Sequence, residues 1–324
     1  MKTKAIVIPA PNTIELREVE LNPLGSDDVL VETTLTSISA GTERMLLNGV
    51  MPHPMLQFPV VPGYESVGTV IDAGENAQSW MGKRVYVGGN YGFIGVNPAF
   101  GGQSARIVAP TSHLVDLQML TNEQGVMLAL AATAMHGVDL ARLCESNSQS
   151  VLILGQGVVG LLAGRFAKAC GAKVTVTDKV ADRLKLSVAD EIILTTSDAH
   201  TLKQDSLFDV MIDATGKMDA IAPMLMRVKK GGQVILLGYY DCVSLPYQPI
   251  FLRELMLVSS AQWANGDLTR ARDEIASGHV EIDSLLTHRM KADDASVAFD
   301  VAFNDPTCVK MILDWRENKS ETEN

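Results

Sequence analysis

The segment VLILGQGVVG, residues 151–160, restricts this chain more than any other. An apolar run of strand type leads into Gly155, Gly157 and Gly160 at G-x-G-x-x-G spacing. An apolar stretch of helical length follows to Ala169 and is closed by Gly171. The next strand-like run, KVTVTD, ends on Asp178, about 20 residues further along, where a dinucleotide-binding turn keeps its acidic residue. In such a turn Gly155 makes the tight bend, Gly157 lets a pyrophosphate reach the backbone beside Gln156, Val158 and Val159, and Gly160 lets the helix close on the strand. The helix N-terminus then faces the phosphates. Asp178 would accept hydrogen bonds from the adenosine ribose and repel a 2'-phosphate, so NAD is expected over NADP, although Lys179 and Arg183 lie nearby.

The pattern after Ser150 alternates: VLILG, a helix, KVTVTD, a short helix around Arg183, EIILTT, DVMIDATG, a helix to Lys230, and GGQVILLG. Strands alternating with helices make a doubly wound parallel sheet, the Rossmann arrangement of the α/β class. Thr215 and Gly216 in Asp-Ala-Thr-Gly, and Leu237 and Gly238, end later strands, where ligands of open sheets gather; each is otherwise an ordinary strand-end turn. Residues 1 to about 120 differ, with short β-type runs such as AIVI, DVLVETTL, SVGTVIDAG and RVYVGG between Gly and Pro. Thr121 with Gln124 then reads as a capping box opening a helix over GVMLALAATAMHGVDLARL. Further helices are expected up to Ser277-Gly278 and from Asp293 to Phe303, before CVKMILDW. The tail RENKSETEN reads as disordered.

A net charge of -11 and the lack of a Lys/Arg block argue against nucleic acid as a partner and leave room for a small organic substrate. The opening apolar run is too short for a secretion signal and no stretch approaches a membrane span, so a cytoplasmic protein is expected. Cys144, Cys170, Cys242 and Cys308 are scattered without a CxxC pair, which suggests reduced, buried thiols.

SISAGTE (37–43) and VPGYESVG (61–68) resemble the metal-holding segments of the medium-chain dehydrogenase/reductase family, with the zinc-binding side chains replaced. The family's Cys-Gly-Thr/Ser-Asp reads Ala40-Gly41-Thr42-Glu43 here, its Gly-His-Glu reads Gly63-Tyr64-Glu65, and its third ligand position falls near Ala129. Methyl groups and a phenol cannot replace a thiolate and an imidazole, so no catalytic zinc is expected. The resemblance implies a discontinuous GroES-like catalytic domain over 1–122 and 264–315, a Rossmann NAD-binding domain over 123–263, and a tail over 316–324. It also implies that Thr42 contacts the substrate oxygen and starts a proton relay, with a locally bonded turn threonine as the alternative. Glu65 is either a base with a raised pKa or a paired structural acid, and Glu43 shares that ambiguity. Tyr64 could donate to a carbonyl oxygen or simply pack; His136 could relay protons or be a satisfied histidine.

ISAGTE, PVVPGYESVG, FGGQSARIV, MLALAATAMHG and CVKMILDW, spread over residues 38–315, further resemble the 3-hydroxyethyl bacteriochlorophyllide a dehydrogenases of bacteriochlorophyll biosynthesis. The resemblance implies NAD-dependent oxidation of the C3 1-hydroxyethyl group of a tetrapyrrole to acetyl. A carbinol on a conjugated macrocycle gives up hydride readily, which suits a site without zinc. Met45, Leu46, Leu47, Met51, Met55, Leu56 and Phe58 would line a flat apolar slot or else fill a β core. His53 could reach the central magnesium, and Arg44 or Arg106 the propionate. Two other readings stay open: a zinc-free NAD(P)H-dependent quinone or enoyl reductase, and a nucleotide-binding sensor without turnover. Family members commonly dimerise through the nucleotide-binding domain.

Overall fold

The structure is a computed structural model that describes residues 1–52, 56–90, 92–145, 148–195 and 206–316. The chain begins with β1 (Lys2–Val7), β2 (Glu15–Leu21), β3 (Asp28–Ile38), α1 (Ala40–Leu47), β4 (Val60–Val61), β5 (Ser66–Ala73) and β6 (Arg84–Val87). It continues through β7 (Phe93–Ile94), β8 (Asn97–Pro98), β9 (Arg106–Pro110), β10 (Leu114–Asp116), α2 (Asn122–Gly125) and α3 (Leu128–Leu140). Next come β11 (Ser150–Leu154), α4 (Val158–Ala169), β12 (Lys173–Asp178), α5 (Ala181–Leu184), β13 (Glu191–Leu194), β14 (Phe208–Asp213), α6 (Met218–Ile221) and β15 (Val228–Leu236). The last elements are α7 (Tyr247–Arg253), β16 (Met256–Ser259), α8 (Asp267–Ala276), β17 (His288–Lys291), α9 (Ala295–Asn304) and β18 (Met311–Asp314). No helix among the described residues is long and apolar enough to cross a membrane.

The chain divides into two compact units, 1–129 with 286–324, and 130–285. In the first, β3 is the hub of a seven-stranded sheet ordered β10-β6-β5-β3-β18-β17, with β9 also paired to β3. Strand β18, over 270 residues from β3 in sequence, pairs with it antiparallel, Met311 opposite Ile38 and Asp314 opposite Leu35. The alternation of β3 and β5 explains the core: Val29, Val31, Val70, Val85, Val87 and Ile107 pack from successive strands onto one face. The capping box foreseen at Thr121 is present, with the Gln124 N–H donating to the Thr121 hydroxyl and the Thr121 N–H to the Gln124 side-chain Oε1 at 3.1 Å each.

In the second unit six strands run parallel in the order β13-β12-β11-β14-β15-β16. Strands β11 and β14 are buried almost throughout, as a sheet covered on both faces requires. Helix α4 presents Leu161, Leu162, Phe166 and Ala167, all buried, at helical spacing.

The helix expected to reach Lys230 passes from α6 into a 3-10 turn at Ala222, where Pro223 removes a helical donor, and ends at Arg227; Lys229 and Lys230 lie in β15. Helix α7 was not foreseen; its Pro246 sits at the N-cap and Pro249 within the first turn, where no intrahelical donor is needed. Helix α8 belongs to the second compact unit, 130–285. Its Arg270 meets Asp139 of α3 at 2.8 Å, and Arg165 of α4 donates to the Glu281 carbonyl at 2.7 Å. Finally, Cys144 and Cys170 form a disulfide with their Cα atoms 4.6 Å apart, and Cys242 is exposed; Cys308 alone matches the buried, reduced thiol expected. The end of α4 brings Cys170 to the 3-10 turn Leu143–Glu145, a proximity hidden by 26 residues of separation.

Candidate active site

Strand β11 delivers the chain into the glycine turn. Gly155 has φ +87°, a conformation a side chain would strain. A Cβ at Gly160 would stand 2.0 Å from the Gly155 carbonyl oxygen, so α4 can close on the strand only with glycine there. A Cβ at Gly157 would meet nothing within 4 Å, leaving open space over the N-terminus of α4, which Val158 and Val159 begin. Asp178, at the end of β12, accepts from the Gln156 N–H at 2.5 Å and the Val180 N–H at 2.8 Å. Its carboxylate is therefore fixed on the rim of the turn, with lone pairs to spare for hydroxyl donors. The Gln156 Oε1 is buried without a partner, while its amide nitrogen donates to the Gly155 carbonyl. Thr215, Gly216, Leu237 and Gly238 gather at the ends of β14 and β15. There the Thr215 hydroxyl donates to Asp213 Oδ1 at 2.6 Å, and the Leu237 and Gly238 N–H groups donate to the Asp213 carbonyl oxygen at 2.9 and 3.1 Å. These residues fit a dinucleotide: backbone donors at a helix N-terminus for the diphosphate, a carboxylate for the ribose, and strand-end turns for the remaining half. His136 is paired, its Nδ1 lying 3.2 Å from Asp267 Oδ2.

In the first unit the AGTE segment forms the first turn of α1 rather than a loop. That places Thr42 and Glu43 one turn from Ser39, whose hydroxyl lies 2.6 Å from the Tyr64 phenol oxygen. Thr42 interacts with the same phenol. The Tyr64 ring packs edge-on against Phe100 at 5.1 Å, and its carbonyl accepts from the Tyr86 hydroxyl at 2.8 Å. Burial, followed by the charge of Glu65, pushes the Tyr64 pKa well up, so the phenol stays protonated. Tyr64, Thr42 and Ser39 thus form a cluster of neutral hydroxyls.

Two carboxyls lie behind that cluster. Glu43, fully buried, accepts from the Ser39 N–H at 2.5 Å and the Gln103 amide at 3.1 Å; Gln103 in turn accepts from the Thr36 hydroxyl at 2.5 Å. Burial raises its pKa to about 8 against these hydrogen bonds. Glu65 is bonded through Oε2 to the ammonium of Lys310, both side chains being almost wholly buried, and its Oε1 has no partner. Burial raises the Glu65 pKa and Lys310 opposes it. A carboxylate tied to an ammonium is a poor free base, which favours the paired-acid reading of Glu65.

The donor set does not fit zinc. Ala40, Tyr64 and Ala129 offer neither thiolate nor imidazole, and the one nearby carboxylate without hydrogen-bonded amides is held by a cation that would repel a second one. Among the described residues there is no group of three or more His, Cys, Asp or Glu able to hold a metal. Of the residues expected to line a slot, Leu46 and Met51 belong to the β core with Ile8, Val60 and Ala99, and Met45, Leu47, Leu56 and Phe58 pack around it. His53 and Met55 lie outside the described residues. Arg44 is committed to α9, donating to the Phe303 carbonyl with its guanidinium 5.0 Å from the Phe303 ring centre. Sequence reasoning missed Lys310, Ser39 and Gln103. Lys310 carried a signal: a lone lysine within the apolar CVKMIL run demands a buried counter-ion.

Known proteins resemble the chain along nearly its whole length. A family model described as alcohol dehydrogenase GroES-like domain matches residues 25–119, and one described as zinc-binding dehydrogenase matches residues 158–277. The chain is 34% identical to a 2-desacetyl-2-hydroxyethyl bacteriochlorophyllide A dehydrogenase of Cereibacter sphaeroides, over 98% of this chain and 99% of that one. It is 35% identical to the protein of the same description from Rhodobacter capsulatus, over 98% and 100%. Among solved structures, a putative zinc-binding dehydrogenase from Sinorhizobium meliloti 1021 bound to NADP superposes with a TM-score of 0.85 at 25% identity, covering 97% of this chain and all of that one. Identity above 30% along nearly the whole length, on a GroES-like unit followed by a dinucleotide turn, settles the family: the chain belongs to the bacteriochlorophyllide hydroxyethyl dehydrogenases of the medium-chain dehydrogenase/reductase superfamily.

Proposed function

We propose that this protein oxidises the C3 1-hydroxyethyl group of a bacteriochlorophyllide to acetyl with NAD, without catalytic zinc. The observation that carries the reading is the near full-length similarity to two dehydrogenases described as acting on that substrate. The dinucleotide supplies the hydride acceptor. Gly155 to Gly160 and the N-terminus of α4 hold its diphosphate, Asp178 takes the ribose hydroxyls and disfavours a 2'-phosphate, and Thr215, Gly216, Leu237 and Gly238 support the nicotinamide half. Thr42 and Tyr64 contact the substrate oxygen. As the carbinol loses hydride, its proton would pass from the Thr42 hydroxyl through Tyr64 and Ser39 to water, each hydroxyl giving up one proton as it takes up another, so that all three end neutral. Glu65 is fixed by Lys310 behind the phenol. His136, bonded to Asp267, is assigned a structural part.

The protein is further proposed to work in the cytoplasm as a homodimer. Strand β16 ends the six-stranded sheet, Met256 and Leu257 on it are exposed, and Tyr247, Phe251 and Leu252 of α7 add exposed apolar surface. Pairing of two β16 edges across a two-fold axis would continue the sheet.

The test incubates the pure protein with hydroxyethyl bacteriochlorophyllide and either NAD or NADP, following the absorbance shift of acetyl formation and measuring metal content in the same sample. Turnover with NAD and no stoichiometric metal is expected. No shift with either cofactor refutes the reading, and one zinc per chain refutes its metal-free part.

A further inference from the structure

The turns that end β14 and β15 are joined through one buried carboxylate. Asp213 Oδ2 accepts from the Thr215 N–H at 3.2 Å, the Gly216 N–H at 3.0 Å and the Tyr240 hydroxyl at 2.5 Å; Oδ1 accepts from the Thr215 hydroxyl. An aspartate that merely closes its own turn needs the local N–H groups and hydroxyl. The bond from Tyr240 comes from the neighbouring strand end, 27 residues away. The two turns also touch. A Cβ at Gly238 would stand 2.5 Å from the Gly216 nitrogen and 3.1 Å from the Tyr240 hydroxyl oxygen, and one at Gly216 would stand 2.9 Å from the Tyr239 carbonyl oxygen. The contact reaches the phosphate turn as well, since a Cβ at Gly155 would lie 2.8 Å from the Thr215 methyl.

Strand order reverses between β11 and β14, the place where a dinucleotide lies across the edge of such a sheet. Asp178 at the end of β12 marks the adenosine half, so the ends of β14 and β15 support the nicotinamide half. We infer that Tyr240 and Asp213 form a positioning clamp that holds the Thr215–Gly216 and Leu237–Gly238 turns together and so sets affinity for the nicotinamide half of NAD. The inference rests on the NAD reading above. Burial and the Asp213 carboxylate both raise the Tyr240 pKa, which keeps the phenol a donor. The clamp touches neither substrate nor reacting atoms; it acts through the two turns.

The full-length protein and its Tyr240→Phe variant are titrated calorimetrically with NAD and with ADP-ribose, which lacks the nicotinamide. Loss of a hydrogen bond to a carboxylate predicts NAD binding weakened about tenfold, with ADP-ribose unchanged within about twofold. Asp213→Asn, which keeps the shape but weakens the acceptor, should act in the same direction, and thermal melts confirm that both variants are folded. Equal weakening toward both ligands, or unchanged NAD affinity, overturns the clamp. If the unmodified protein binds neither ligand, the NAD reading itself falls and takes the clamp with it.

Discussion

A phenol enclosed beside a carboxylate keeps its proton, and that gives Tyr64 a different task from the imidazole its family usually has there. It can stabilise developing charge on the substrate oxygen only as a donor. Tyr64→Phe should therefore lower kcat by about 10- to 100-fold while NAD affinity, measured by titration, stays the same. Thr42→Ala should also reduce turnover with NAD binding retained; unchanged turnover would remove Thr42 from the mechanism. At the cofactor turn, Asp178→Ala should weaken NAD more than NADP, because only NAD loses a bonded ribose hydroxyl without relief of phosphate repulsion. Glu43 gives a pH signature. Its folded pKa of about 8 lies above the ordinary carboxyl value of 4.5, so the fold favours the neutral acid. That contribution is complete below about pH 4.5 and is lost as pH rises through about 8. Glu43→Gln should flatten the decline of Tm between those limits, and parallel Tm profiles for the two proteins would contradict the assignment.

Strands β5 and β18 flank β3, and the Glu65–Lys310 pair closes their starts across the end of β3 that leads into α1. The Ser37 N–H donates to the Glu65 carbonyl oxygen at 3.0 Å, and Met311 stands opposite Ile38, so the pair fixes the register of two strands remote in sequence. Removing one partner leaves an uncompensated charge in the core, at a cost of about 3–5 kcal/mol. Lys310→Met should lower unfolding free energy by that order in urea. The double variant with Glu65→Gln should recover part of the loss, and additive losses would argue against the pair acting as a unit. Lys310 is visible in the sequence as an oddity in an apolar strand, but nothing in the sequence says that its partner is Glu65, 245 residues earlier. Local signals did better: the capping box at Thr121, the strand-glycine-helix at 151–160 and the Gly171 stop rest on neighbours within a few residues.

For the whole molecule, the exposed edge of β16 makes a concrete expectation. Met256→Lys with Leu257→Lys should convert a dimer to a monomer in size-exclusion chromatography with light scattering, leaving the far-UV spectrum unchanged. A protein already monomeric before substitution would refute the dimer. The sequence by itself determined the class of each half, the glycine turn with Asp178 behind it, and the absence of thiolate and imidazole at Ala40 and Tyr64, because those depend on residue chemistry at short, fixed spacings. Tertiary structure alone decided which groups meet: Tyr64 with Ser39, Glu65 with Lys310, Tyr240 with Asp213, and Cys144 with Cys170. Each of these contacts closes a loop of 25 or more residues, and only the sheet registers and the packing of α4 bring the ends together.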